Sequence, residues 1–180
     1  MTRIIAFTGR AGSGKSTAAA YLETLGYTRT RFAGPLKSML RALYASIGLA
    51  EEDIHRRIEG DLKEVPDPLL GGRSPRHAMQ TLGTEWGRDL IAPELWVDLW
   101  RARVADGAKY VVEDCRFANE ATAVAEAGGF IVRITCPWDG SASGAEHSSE
   151  GFNVIPHRII ANNARDDLGQ LYRQIDALLV

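Results

Sequence analysis

Gly9-Arg10-Ala11-Gly12-Ser13-Gly14-Lys15-Ser16-Thr17 decides the reading of this 180-residue chain. It satisfies the pattern G-x-x-x-x-G-K-[ST] in full and follows Arg3 to Thr8, a short, mostly apolar run of strand length. Behind it, Thr17 to Leu25 carries Ala18, Ala19, Ala20 and Leu22, all good helix formers. Strand, glycine-rich loop and helix in that order distinguish a phosphate-binding loop from a chance match. The glycines let the backbone curl so that successive N–H groups face a polyphosphate at a helix N-terminus. In such a loop Lys15 reaches the β- and γ-phosphates and the Ser16 hydroxyl ligates Mg²⁺, with Ala11, Gly12, Ser13, Gly14 and Thr17 completing the cradle. The chain is expected to bind a nucleoside triphosphate.

Length and composition narrow the classes. The length suits one domain with a real core, and 45% hydrophobic with 24% charged residues is ordinary for a globular protein. No apolar run approaches the ~20 residues of a membrane span, and the N-terminal run is too short for a signal-peptide core. Cys115 and Cys136 each follow an expected strand without a CxxC pairing, which reads as free thiols in a reducing cytoplasm. His55, His77, His147 and His157 show no zinc spacing. A net charge of −2 argues against a general nucleic-acid binder. Its distribution is uneven: the first fifty residues hold seven cations, among them Arg29, Arg31, Lys37 and Arg41, against one acid, Glu23. That concentration around the loop suggests a pocket for anions, with a solvated basic face as the plain alternative.

Taken in order, Tyr27 to Ala33 alternates as a second strand, and Gly34-Pro35 opens a helix with Leu36, Met39, Leu40, Leu43 and Ile47 on one face. Lys37 falls in its first turn, where a cation opposes the helix dipole. Glu51 to Ile58 suits a short helix, and Val65 to Ser74, with Pro66, Pro68, Gly71 and Gly72, a mobile loop. Ser74 caps a helix from Pro75 to near Ile91. Gly83 and Gly87 interrupt it, for which close approach to a ligand is one reason. An amphipathic helix follows Pro93. Lys109 to Asp114 is a buried strand ending in two acids, placed as a Walker B strand whose terminal carboxylate supports Mg²⁺. A helix over Asn119 to Ala127, strands at Phe130 to Thr135 and Arg158 to Ala161, and a helix over Asp166 to Leu179 complete the series. Alternating strands and helices imply an α/β fold, a parallel sheet with helices on both faces. The polar connection from Pro137 to Pro156 has the length of a lid.

Asn162-Asn163-Ala164-Arg165 is not the N-K-x-D of a GTPase, and motor ATPases are larger, so a small-molecule kinase fits best. A kinase acting on an alcohol uses a carboxylate to take the hydroxyl proton. Thr24 to Ala50 contains no acid. A phosphate monoester needs no base but does need cations, which favours a phosphorylated acceptor. Pro137 to His157 has no Arg or Lys, so those cations must come from elsewhere, with Arg76, Arg88 and Arg116 as candidates.

Along most of its length the chain resembles the phage-type deoxynucleoside monophosphate kinases. The resemblance is carried, in the family's order, by Gly9 to Thr17, Ala33-Gly34-Pro35-Leu36-Lys37, Glu59-Gly60-Asp61-Leu62-Lys63-Glu64, Arg76 with Met79-Gln80-Thr81-Leu82-Gly83-Thr84, Trp96, Asp114-Cys115-Arg116, His147-Ser148-Ser149-Glu150 and Ile160-Ala161-Asn162-Asn163. It implies a three-layer P-loop kinase fold over one domain, with a helical acceptor-binding insertion over about 34–107 and a lid loop over about 137–157. It further implies phosphorylation of deoxynucleoside 5′-monophosphates with ATP and Mg²⁺, by a homodimer, in the host cytoplasm if the chain is phage-encoded. Lys37, Lys63, Arg76, Gln80, Gly83, Thr84, Trp96 and Arg116 are placed around the acceptor. Lys15, Arg116 and Asp114 are placed at the transferring phosphoryl group, and Asn163 on the adenine side. Trp96 reads either as a wall for the base or as a core tryptophan, and Asn163 either as an adenine contact or as a helix cap. Asp114 is preferred over Glu113 as the partner of Ser16 at the metal. His77 and Ala78 stand where the family often has a second basic residue. A kinase for another phosphorylated metabolite, of the phosphomevalonate or dephospho-coenzyme A type, and a non-catalytic nucleotide-binding regulator are the alternatives.

Overall fold

Five strands, β1 (Arg3–Thr8), β2 (Thr28–Thr30), β3 (Lys109–Val112), β4 (Phe130–Thr135) and β5 (Arg158–Ala161), form one sheet in the order β2-β3-β1-β4-β5. Every pairing is parallel. The computed structural model describes residues 3–105, 107–137, 154–163 and 167–179. The expected lid and its His147-Ser148-Ser149-Glu150 segment lie almost wholly outside the described residues, as does the expected helix start at Asp166.

The chain divides into two compact units, Met1–Phe32 with Trp100–Val180, and Ala33–Leu99. The first contains the sheet. Ile5, Phe7, Val111, Val132, Ile134 and Ile160 supply its buried face, covered by Ala18, Ala19 and Leu22 of α1 (Lys15–Thr24) and by Leu171 and Ile175 of α7 (Gly169–Asp176). Ile4, turned the opposite way by strand alternation, lies under α6 (Ala118–Glu126): a Cβ at Gly129 would stand 2.7 Å from Ile4 Cβ and 2.8 Å from Val124 Cγ1. Helices thus cover both faces, the three-layer arrangement the alternation predicts. β2 is shorter than its sequence pattern because the chain leaves the ladder after Thr30, and the Phe32 N–H is taken by a side chain, Asp114 Oδ1, at 3.0 Å.

The second unit packs α2 (Gly34–Ser46), α3 (Glu51–Ile58), α4 (Pro75–Thr81) and the start of α5 (Leu95–Arg101) around Leu36, Leu40, Tyr44, Ile54, Ile58, Met79 and Trp96. Here the expected face of α2 is corrected. Leu36, Leu40 and Tyr44 are buried, whereas Met39, Leu43 and Ile47 form a second row that stays exposed. Tyr44 displaces the more apolar candidates because its hydroxyl has a buried acceptor, donating to Asp67 Oδ2 at 2.8 Å. Asp67 also accepts from Arg57 Nε at 3.0 Å and from the Leu69 N–H at 2.9 Å. Its own backbone closes the segment through Asp67 N–H to the Arg73 carbonyl (3.0 Å), so the expected loop at 65–74 is a turn built on one carboxylate.

Ser74 caps α4 as expected, accepting from the His77 N–H. Beyond Thr81 the helix widens into π-helical turns over Leu82–Ile91. The reason for Gly87 is internal rather than a ligand: a Cβ there would stand 2.4 Å from Trp96 Cζ2. Trp96 donates its indole N–H to the Gly83 carbonyl at 2.7 Å, a carbonyl offered by the widened turn.

Candidate active site

In the first unit the phosphate loop has a glycine at two points where it closely meets neighbouring groups. Gly9 has φ 136°, and a Cβ on it would approach the Ile134 carbonyl oxygen to 2.4 Å. Gly14 has φ 105° at the head of α1, and a Cβ there would come within 2.5 Å of Asn162 Nδ2. Only glycine fits both requirements. Lys15 begins α1 with its Nζ folded over the loop, donating to the carbonyls of Gly9 (2.7 Å) and Arg10 (2.6 Å). Ser13 is buried, and its Oγ has no hydrogen-bond partner among the described residues. Ala11, Gly12 and Ser16 are exposed, while Gly14, Lys15 and Thr17 are half-buried.

Past β3, the two acids part company. Glu113 is buried and held by two arginines: Arg31 donates to its Oε1, and Arg29 Nη1 stands 3.5 Å from its Oε2. Arg29 also pairs with Glu23 at 2.6 Å and donates to the Ser16 carbonyl at 3.3 Å. Asp114 is half-buried, with one carboxylate oxygen fixed by the Phe32 N–H. Cys115 between them and Arg116 is buried, and burial, with Glu120 and Asp114 nearby, pushes its thiol far above the usual range, so it is inert. Arg116 is half-buried at the turn into α6, where the buried Glu120 carboxylate accepts from the N–H groups of Arg116 (2.7 Å) and Phe117 (3.1 Å).

In the second unit Lys37 Nζ lies 2.8 Å from both oxygens of Glu59. Arg76 pairs with Glu64, and its backbone N–H donates to the Lys63 carbonyl at 2.9 Å, which brings Lys63 and Arg76 together. Gln80, Gly83 and Thr84 are half-buried along α4 and the widened turns. Trp96, 3% exposed with its N–H satisfied, fits the core-tryptophan reading of the two. Arg88 donates to the Pro93 carbonyl at 3.3 Å.

Four of the early cations that suggest a pocket for anions stand against carboxylates. Arg29 and Arg31 serve Glu113, Lys37 serves Glu59, and Arg41 serves Glu51. All three of these carboxylates lie beyond residue 50, so a count over the first fifty residues could not reveal the neutralisation. Asn163 is exposed, and its neighbour Asn162 is the one that touches the loop, donating from Nδ2 to the Ser13 carbonyl at 3.0 Å. Strand alternation lets only one of the pair face inward, and the β4–β5 register selects Asn162 through its N–H to the Thr135 carbonyl. Glu120 sits at the third position of α6, where a carboxylate reaching back to the preceding amides is a known sequence signal.

A parallel sheet whose first strand turns through a glycine cradle into a Gly-Lys-Ser helix start defines a P-loop nucleotide-binding protein of the three-layer α/β type. No protein-family model matches the chain. A protein of Acanthamoeba polyphaga mimivirus, provisionally named a deoxynucleotide monophosphate kinase, is 37% identical over 161 residues, covering 82% of this chain and 80% of its own. The chain belongs to the deoxynucleotide monophosphate kinase family. Among solved structures it is similar to TT1252 from Thermus thermophilus (TM-score 0.46, 19% identity, covering 99% and 98% of the two chains). It is also similar to an APS kinase from Mycobacterium tuberculosis (TM-score 0.39, 15% identity, 99% and 94%). Among the described residues no helix is long and apolar enough to cross a membrane.

Proposed function

We infer that the chain transfers the γ-phosphoryl group of ATP to the phosphate of a deoxynucleoside 5′-monophosphate, giving the diphosphate and ADP. The observation that carries this reading is the intact loop, with Lys15 at the head of α1, in a chain of this family. An oxygen of the acceptor phosphate forms the new bond to the γ-phosphorus as the bond from that phosphorus to the β,γ-bridging oxygen breaks. The electron pair stays with ADP. Both partners are anions, so the protein's task is positioning and neutralisation rather than proton removal.

Lys15 supplies a cation and the loop amides supply fixed dipoles at the β- and γ-phosphates. Arg116 adds a fork of donors, its backbone pinned by Glu120. Lys37, Arg76 and Lys63 receive the acceptor phosphate, with Gln80, Gly83 and Thr84 beside the nucleoside. Trp96 shapes this region by bracing Gly83 and Gly87 from behind. Mg²⁺ takes hard oxygen ligands and keeps several from phosphates and water, so one hydroxyl and one carboxylate suffice. Ser16, exposed at the helix start, and Asp114 fit that donor set, whereas Glu113 is already engaged by Arg29 and Arg31. When bound, the ion supplies charge neutralisation at the phosphates.

The exposed row of Met39, Leu43 and Ile47 supports a homodimer, and the net charge of −2 supports a small-molecule rather than a nucleic-acid partner. An ADP-release assay over deoxy- and ribonucleoside monophosphates of every base tests the function. Turnover with at least one deoxynucleotide is expected. Turnover only with some other phosphomonoester, or ATP hydrolysis indifferent to every acceptor, overturns it.

A further inference from the structure

We propose that Asn162 is a positioning residue of the phosphate loop, its side-chain amide fixing the Ser13–Gly14 peptide so that the Gly14 N–H is turned to the bound phosphate. The inference rests on the ATP-binding role given above and deepens it. Asn162 Nδ2 donates to the Ser13 carbonyl at 3.0 Å, and the residue is only 5% exposed. A trans peptide is planar, with its C=O and N–H pointing opposite ways. Pinning the Ser13 carbonyl onto Asn162 therefore aims the Gly14 N–H away from the buried end of β5. Gly14, at φ 105° and without a side chain, offers little resistance to rotation of this peptide, so something outside it must hold the orientation. A flipped peptide would present a carbonyl oxygen to the anion in place of a donor.

Asn162 is itself held from two directions. Its backbone N–H donates to the Thr135 carbonyl at 2.8 Å. The residue before it, Ala161, is gripped at both backbone groups by the Gln174 side chain: the Ala161 N–H donates to Oε1 (3.0 Å), and Nε2 donates to the Ala161 carbonyl (2.8 Å). Gln174 belongs to α7, so that helix closes the edge strand next to the loop. The space a Cβ on Gly14 would fill is the space the Asn162 amide occupies, which ties the glycine and the asparagine to each other.

Asn162→Asp keeps the shape and exchanges the donor for an acceptor facing the Ser13 carbonyl. Calorimetric binding of Mg²⁺–ATP and of a deoxynucleoside monophosphate, each alone, with thermal melts beside them, separates positioning from bulk stability. The expected result is an ATP dissociation constant raised about tenfold or more, with that of the monophosphate held within about twofold. ATP binding equal to that of the unvaried chain, or both ligands weakened alike, overturns the proposal. An unvaried chain that binds no ATP overturns the function reading as well, so the two failures are distinguishable. Should the variant not fold, a crystal structure of the unvaried chain with a non-hydrolysable ATP analogue decides. Asn162 on the Ser13 carbonyl with the Gly14 N–H on a phosphate oxygen supports it, and an amide turned away from Ser13 overturns it.

Discussion

The two units hold their candidate site residues by different means. In the unit formed by Met1–Phe32 and Trp100–Val180 the contacts run largely to main chain. Lys15 donates to two carbonyls, Asn162 to a third, Glu120 receives two amides and Asp114 receives one. In the unit Ala33–Leu99 two of the candidate cations answer to other side chains, Lys37 to Glu59 and Arg76 to Glu64. A site made of backbone dipoles is set before any ligand arrives. A site made of ion pairs begins neutralised, and its ligand must exchange one anion for another.

The largest effect should come from the preset side. Lys15→Ala removes the one ammonium at the loop, and kcat is expected to fall at least about a hundredfold. The melting temperature should hardly move, because Lys15 supports no core residue. Retained turnover in the ADP-release assay would break the comparison at its firmer end.

Asp67→Ala tests the other unit at a buried carboxylate. It strands the Tyr44 hydroxyl and takes the carboxylate from Arg57, at a cost of about 3 kcal/mol in unfolding free energy. Burial pushes the Asp67 carboxyl up, but the bonds from Tyr44, the Leu69 N–H and Arg57 outweigh it and hold the group below its ordinary value. A depressed folded value means the carboxylate's contribution is complete above the unfolded pKa of about 3.9 and is lost as the pH falls through the folded one. The gap between denaturant melts of the two chains should therefore be full above about pH 4 and narrow as the pH falls below it. A gap that persists into acid would mean that Asp67 acts through shape rather than charge.

The same contrast explains what could be read from residues alone. The loop was legible because its chemistry lies in nine consecutive residues whose spacing is fixed by phosphate geometry. The order of strands and helices was legible from alternating periods. Buried pairings across the chain were not: Arg31 with Glu113 spans 82 positions and Asn162 with Ser13 spans 149. No local pattern marks such partners. Tyr44 gives no local signal on α2 for a similar reason, since a tyrosine joins a core only where an acceptor such as Asp67 comes to meet it. Gly87 was visible as an anomaly, yet its cause, the Trp96 ring, could be identified only once the helix was seen to widen.

The smallest effect is the most discriminating. Lys37 and Glu59 are partly exposed, with side chains 20% and 26% accessible, so their pairing contributes no more than about 1 kcal/mol. If Glu59 only neutralises Lys37 until a phosphate replaces it, Glu59→Gln should lower the KM for the monophosphate about two- to threefold. The KM for ATP should be unchanged, because the loop's donors are of another kind. A raised monophosphate KM would give the opposite lesson. Glu59 would then orient Lys37 or touch the nucleoside itself, and the ion pairs of the second unit would be as much a preset frame as the glycine loop.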